Sequence, residues 1–150
     1  MSACGSLGNE PDPKHRLEGS LTVMMDLGYD EAQVDLTTNE VAVRFVRDQG
    51  AGQDTVLKVA ADLLGAVVEA GASLDLAEIS PSGAQRGSVS RDVLDDPRRD
   101  FPPLVRGRLL FNRSPISGER VPGEFNVTFE NGTEVASGRT AFGTFEATVQ

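Results

Sequence analysis

The sequence predicts a mainly β fold, an antiparallel β-sandwich of seven or eight strands with one helix at 55–70. Three observations predict it. Apolar and polar residues alternate in several segments, the spacing of strands with one buried face. Turn formers, among 16 Gly and 8 Pro, separate those segments. The chain has 150 residues, the size of one domain with a real core. The alternative is an α+β fold in which the helix covers a single antiparallel sheet.

Residues 1–14, MSACGSLGNEPDPK, offer almost nothing to bury and are expected to form a flexible tether before a single domain at 15–150. From 17 to 27 the chain alternates: Leu21, Val23, Met25 and Leu27 face one way, Ser20, Thr22 and Asp26 the other, with Met24 an apolar exception. That predicts a strand. Gly28 opens an acidic loop, GYDE, and 33–36 reads as a short strand. After the turn TTNE, segment 41–47 places Val41, Val43 and Phe45 on one face and Arg44 opposite. The polar stretch DQGAGQD (48–54) ends it.

Segment 55–70 fits two periods. At 3.6, Val56, Leu57, Ala60, Leu63, Leu64, Val67 and Val68 form a stripe, with Asp54 as cap and Gly71 as stop. At two, Leu57, Val59, Ala61 and Leu63 line one face until Gly65. Length and the fuller stripe favour the helix, against the β-branched residues and Gly65.

Segment 73–79 reads as a strand using Leu74, Leu76 and Ile79. Residues 80–103 form a long polar connection, stiffened by Pro97, Pro102 and Pro103, with a short strand at 87–91. Strand 104–112 alternates around Val105, Leu109 and Phe111, and RSPISGERVPG connects it onward. Segment 123–130 turns Phe125, Val127 and Phe129 inward, and Asn131-Gly132 signals a tight hairpin. A two-residue turn would set Phe129 against Glu134 and Val135 against Thr128, so the register demands a bulge or a two-sided return arm. The last strand, 144–149, turns Phe145, Ala147 and Val149 inward.

The formal charge of −9 lies wholly in residues 1–80, where 14 acids meet 5 bases; the remainder is neutral. A phosphate backbone would be repelled, so no nucleic-acid partner is expected. One Cys excludes an internal disulfide and a thiolate metal cluster, and one His a multi-histidine site within the chain. No run approaches the length of a membrane span. Nucleophile-elbow, dinucleotide, phosphate-loop and zinc-helix motifs are absent.

Cys4 stands in a segment without hydrophobic cover, preceded by Ser2 and Ala3 and followed by Gly5. Ser2-Ala3-Cys4 resembles the end of a bacterial lipobox, and the polar residues after it resemble a lipoprotein tether. The resemblance covers these residues only and says nothing of the fold. It implies lipidation at Cys4, localisation to the bacterial cell envelope, and membrane attachment only through that anchor. A cytoplasmic protein with an incidental thiol is the alternative.

Loop 91–103 gathers Asp92, Asp95, Asp96 and Asp100 beside Arg91, Arg98 and Arg99. Converging carboxylates could hold calcium, but the spacing is not that of an EF-hand and the arginines can satisfy the same oxygens. Asp92, Asp95, Asp96, Arg98 and Arg99, with Tyr29 exposed in its acidic turn, are the candidate partner-binding residues. Acids Asp26, Asp30, Glu31 and Asp35 form a weaker cation candidate. Phe111, Phe125, Phe129, Phe142 and Phe145 could form a carbohydrate or peptide platform, but most of them fall at inward strand positions, which favours core packing. No cofactor is implied. The sequence therefore predicts a non-enzymatic envelope lipoprotein domain with a structural or protein-binding role. A calcium- or carbohydrate-binding β module and a small carboxylate hydrolase are the alternatives.

Overall fold

The computed structural model describes residues 13–50 and 52–150. They form strands β1 (His15–Arg16), β2 (Gly28–Tyr29), β3 (Glu31–Leu36), β4 (Glu40–Asp48), β5 (Gln53–Asp62) and β6 (Ser73–Asp75). Strands β7 (Gly87–Asp92), β8 (Arg99–Asp100), β9 (Leu104–Phe111), β10 (Arg120–Phe129) and β11 (Thr140–Val149) follow. The only helix among the described residues is a 3-10 turn, Ser20–Val23.

The fold is mainly β, as the alternation predicts. Nine strands join one curled sheet in the order β6-β9-β10-β11-β3-β4-β5-β7-β8, and β1 and β2 pair separately. Neighbours are antiparallel except β11 and β3, which run parallel. The architecture is sandwich-like. Phe45 on β4 meets Phe125 on β10 and Phe145 on β11 with ring centroids 5.3 and 5.8 Å apart.

The curl brings the ends of the sheet together. Just after β6, the Leu76 N–H donates to Gly107 C=O at 3.0 Å, and Gly87 N–H donates to Leu76 C=O at 2.8 Å. Beside this seam the Gln85 amide imitates a strand residue: Nε2 donates to Leu104 C=O at 2.9 Å, and Oε1 accepts the Leu104 N–H at 2.7 Å. Gln85→Ala is expected to cost about 1–3 kcal/mol by orphaning half-buried main-chain groups. Thermal unfolding checks this, with a drop of roughly 2–4 °C per kcal/mol.

The helix expected at 55–70 is a strand, β5, followed by a loop. The bulge explains the misleading stripe. Phe45 pairs with Leu57 but Val46 pairs with Thr55, so Val56 is an extra residue on β5. Val56 and Leu57 are therefore buried in succession, and Val59, Ala60 and Ala61 follow them into the core. That run of burial imitates a helical period. At Asp62 the strand stops: its Oδ1 accepts the Leu64 N–H at 2.9 Å, and Leu64 and Gly65 both take positive φ. The α+β alternative falls with the helix.

Segment 17–27 is not one strand. Leu17 and Leu21 are buried around the 3-10 turn, as is Leu27 beyond it, while Val23, expected inside, is 76% exposed. On β9 a second bulge reverses another expectation. Thr128 pairs with Arg106 but Phe129 pairs with Leu104, so Leu104 is buried and Val105 exposed. The strand at 73–79 shortens to β6, and Ile79 is exposed. Half of the long connection at 80–103 is a hairpin, β7 with β8.

The tight hairpin at Asn131-Gly132 is absent. Thr128 pairs with Thr140, leaving residues 130–139 as a folded loop closed by Gly138 N–H on Glu130 C=O at 2.9 Å. The register conflict read from the sequence is resolved this way: a ten-residue loop brings Ala141 against Val127 and Phe145 against Gly123. Strand β10 also begins earlier than expected and includes Pro122. The proline is tolerated because its nitrogen lies on the β9 side beyond β9's end, where only its C=O is needed, by Asn112 N–H at 2.8 Å.

Candidate functional site

Strands β11 and β3 are paired only from Ala147–Val149 to Ala32–Val34. Ahead of that contact they part. Further back, Phe142 on β11 exchanges two main-chain bonds with Glu18, each 2.9 Å. Between Phe142 and Ala147, no described strand pairs with β11 on this side. Backbone groups alternate along a strand, so Thr144 carries its N–H and C=O to the same open side as Phe142. The small sheet fills part of the gap by pairing His15 with Tyr29 and Arg16 with Gly28. What remains is a cleft of about 990 Å³.

One wall is β11, with Thr144, Glu146 and Thr148; Phe145 reaches it from the core. The other combines Asp30, Glu31, Asp48 and Gln53, and Lys14 and His15 bound one side. Asp30 ties the walls to the main chain: Oδ1 accepts Lys14 N–H at 3.4 Å and Oδ2 accepts Asp48 N–H at 3.0 Å. Arg120 reaches in from β10, paired with Glu146 at 2.9 Å.

Tyr29 lies differently from the expected exposed side chain. It is only 5% exposed, and its ring packs between His15, centroids 5.1 Å apart, and the edge of Phe45, at 4.9 Å. Burial pushes its phenol above the ordinary tyrosine value. The Tyr29 side chain lines the cleft, and its hydroxyl makes no hydrogen bond among the described residues. A local reading of GYDE missed this because the core contact comes from Phe45 on a different strand.

Asp26 clasps the small sheet to β4. Its carboxylate accepts Gly28 N–H at 2.9 Å, Arg16 Nη1 at 2.6 Å and Arg47 Nη1 at 2.9 Å. Burial pushes this carboxyl up, but the Gly28 N–H and the two guanidiniums outweigh it and hold it below the ordinary aspartate value. A depressed carboxyl contributes stability that is present above its unfolded pKa and lost as pH falls through the folded one. Acid titration below about pH 4 is therefore expected to loosen β1 first, and Asp26→Asn to remove this part of the acid sensitivity. Amide exchange at His15 and Arg16 measured against pH checks it.

The sequence-nominated loop is pinned to the body. Asp54, 6% exposed, accepts Leu94 N–H at 2.7 Å and Gln49 Nε2 at 2.8 Å. Arg91 donates from Nη1 to the carbonyls of Asp26 and Val56, each at 3.1 Å. Its own pKa is lowered by burial, against the pull of Asp96, Asp54 and Asp26. Asp92, Asp95, Asp96, Arg98 and Asp100 are exposed, and Arg98 pairs with Asp100 at 3.3 Å. Asp96, Pro97 and Arg99 border a small depression of about 180 Å³ with Met24, Met25 and Val135.

Among the described residues, no three carboxylate, imidazole or thiol side chains are placed to hold a metal. The four loop aspartates are thus not brought together to hold a metal, nor are Asp26 and Asp35: Asp35 pairs with Arg44 of β4, and Asp26 with Arg16 and Arg47. Of the five phenylalanines considered for a platform, Phe111, Phe125, Phe129 and Phe145 are core residues and Phe142 is exposed. Cys4 and most of the expected tether lie outside the described residues. No described helix is long and apolar enough to cross a membrane. No family model matches this chain, and neither a curated protein nor a solved structure matches it.

Proposed function

We propose that this chain is a non-enzymatic, protein-binding domain of the cell envelope, tethered by lipid at Cys4, and that its recognition site is the cleft where β11 parts from β3. The observation that carries the reading is the unpaired stretch of β11 between Phe142 and Ala147, which opens on that cleft. Unpaired strand edges template pairing with another chain unless something covers them. The rest of the sheet leaves little such edge: its terminal strands β6 and β8 have three and two residues. The polar residues after Cys4 would let the domain stand clear of the bilayer.

Two measurements test the two halves of this reading. The intact mass of the native protein is expected to show a processed chain acylated on Cys4; an unmodified chain beginning at Met1 sinks the envelope half. For the site, a photoreactive residue at Thr148 or Gln53 is expected to give a discrete protein adduct in intact cells. The same residue at Glu134, outside the cleft, is expected to give none, and Thr144→Pro to abolish the cleft adduct. Equal adducts from Glu134, or none from the cleft, overturn the recognition site.

A further inference from the structure

We infer that the occupant of the cleft is an extended, basic peptide segment of the partner, added as a strand along β11 at Thr144. This rests on the protein-binding reading of the cleft and names what that site takes. Three features, taken together, favour this ligand.

The first is main-chain chemistry. Phe142 already uses its outward N–H and C=O on Glu18, and Ala147 begins the ladder to β3. Thr144 lies between, its N–H and C=O directed into the open space by strand alternation. Another extended chain supplies the complementary donor and acceptor at the right spacing, the basis of recognition by strand addition.

The second is charge. Asp30, Glu31, Asp48 and Glu146 line the cleft against Lys14 and Arg120. Arg120 is already paired with Glu146. Asp30 accepts only main-chain N–H groups and Glu31 only the Gln33 amide, at 3.3 Å. Neither these two nor Asp48 forms an ion pair among the described residues. Lysine or arginine side chains on alternate residues of an added strand would point to one face and answer these carboxylates. An acidic ligand would be repelled.

The third is Tyr29, a buried residue that lines the cleft and whose hydroxyl makes no hydrogen bond among the described residues. A phenol both donates and accepts, so a peptide group or an ammonium can satisfy it. A saccharide could use the hydroxyl and the carboxylates, but it has no matching pattern for the strand edge.

The test is an amide-resolved NMR titration of the full chain with an octapeptide alternating Lys and Thr. A Glu-for-Lys version of the peptide and a neutral tetrasaccharide are run beside it. The Lys peptide is expected to shift amides from Gly143 to Ala147, slow exchange of the Thr144 amide, and bind more weakly as salt rises. The Glu peptide is expected to bind at least about tenfold more weakly. Thr144→Pro removes a donor that points away from β10, so folding is retained while affinity falls by about tenfold or more. Should that variant fold poorly, the double charge reversal Glu31→Lys with Asp48→Lys supplies the same test from the exposed wall.

Equal or stronger shifts from the Glu peptide or the tetrasaccharide overturn the inference, as does a Lys peptide that shifts none of these amides. The two levels separate cleanly. A cleft-dependent adduct in cells with no response to the Lys peptide sinks the basic strand and leaves the protein-binding site. Loss of both sinks the site itself.

Discussion

Gly19→Ala is expected to lower stability by about 3 kcal/mol or more, through a steric conflict that no side-chain rotation relieves. Gly19 has φ 113 and ψ 170, a region essentially restricted to glycine. A Cβ there would run into the Thr140 carbonyl, 2.8 Å from its carbon and 2.9 Å from the Ala141 Cα. Both neighbours are backbone of β11. The contact is close because the flanking residues are sewn to that strand: Glu18 bonds Phe142, and Thr140 N–H donates to Ser20 Oγ at 3.0 Å. The variant must therefore either lift the Glu18–Ser20 segment from β11 or distort the strand. In a chain of this length the melting temperature should fall by roughly 6–12 °C. Gly50→Ala separates the causes, because Gly50 also has positive φ, 79°, but no atom near its would-be Cβ. Its cost should stay near 1 kcal/mol. Equal melting of the two variants would show that the close approach to Thr140 does not matter.

The second large effect is at Phe45. The ring is 0% exposed and contacts Tyr29, Phe125 and Phe145, at centroid distances of 4.9, 5.3 and 5.8 Å. It is the residue through which β4 grips β10 and β11 across the core. Phe45→Ala removes a large apolar surface and leaves a void that the surrounding strands cannot close, a loss of about 3–5 kcal/mol in denaturant unfolding. Phe45→Leu should cost far less, since most of the volume remains. The cleft should feel the change as well. With Phe45 truncated, Tyr29 loses the edge contact that holds its ring, and its near-UV signal should weaken before global unfolding. A near-UV spectrum unchanged in Phe45→Ala would show that Tyr29 is held by His15 alone.

Much of the strand pattern was legible. Segments 123–130 and 144–149 alternate strictly and 41–47 does so apart from Ala42 and Val46, which are also buried; β4, β10 and β11 bury Val41, Val43, Phe45, Phe125, Val127, Phe129, Phe145, Ala147 and Val149 as alternation requires. Alternation failed wherever a bulge intervened. Val56 on β5 and the slip between Leu104 and Val105 on β9 each move one residue to the other face, and no nearby residue announces it. The bulges are properties of pairs of strands, so a single strand's sequence carries no trace of them. Asn131-Gly132 failed for a related reason. A two-residue turn would have set the wrong faces opposite each other, and burial of Ala141 and Phe145 outweighed local turn preference.

The candidate site was legible only in part. Tyr29 was singled out for an exposure it does not have, yet it lies in the cleft. The loop at 91–103 reads in sequence as a partner-binding segment and a weak metal candidate, whereas Asp54 and Arg91 pin it to the body through Leu94 N–H and the Asp26 and Val56 carbonyls. A buried carboxylate such as Asp54 looks in sequence like any other polar residue in a loop.

By itself, the chain's order of residues determined the strands at 41–47, 123–130 and 144–149 and which side of each meets the core, because period-two alternation is a local property of extended backbone. Only the tertiary structure decided the register, the bulges and the single parallel contact between β11 and β3, and therefore where the sheet splits to make a cleft. Those follow from main-chain hydrogen bonding and packing between strands near opposite ends of the chain, where each segment's partner is chosen by the shape of the whole core.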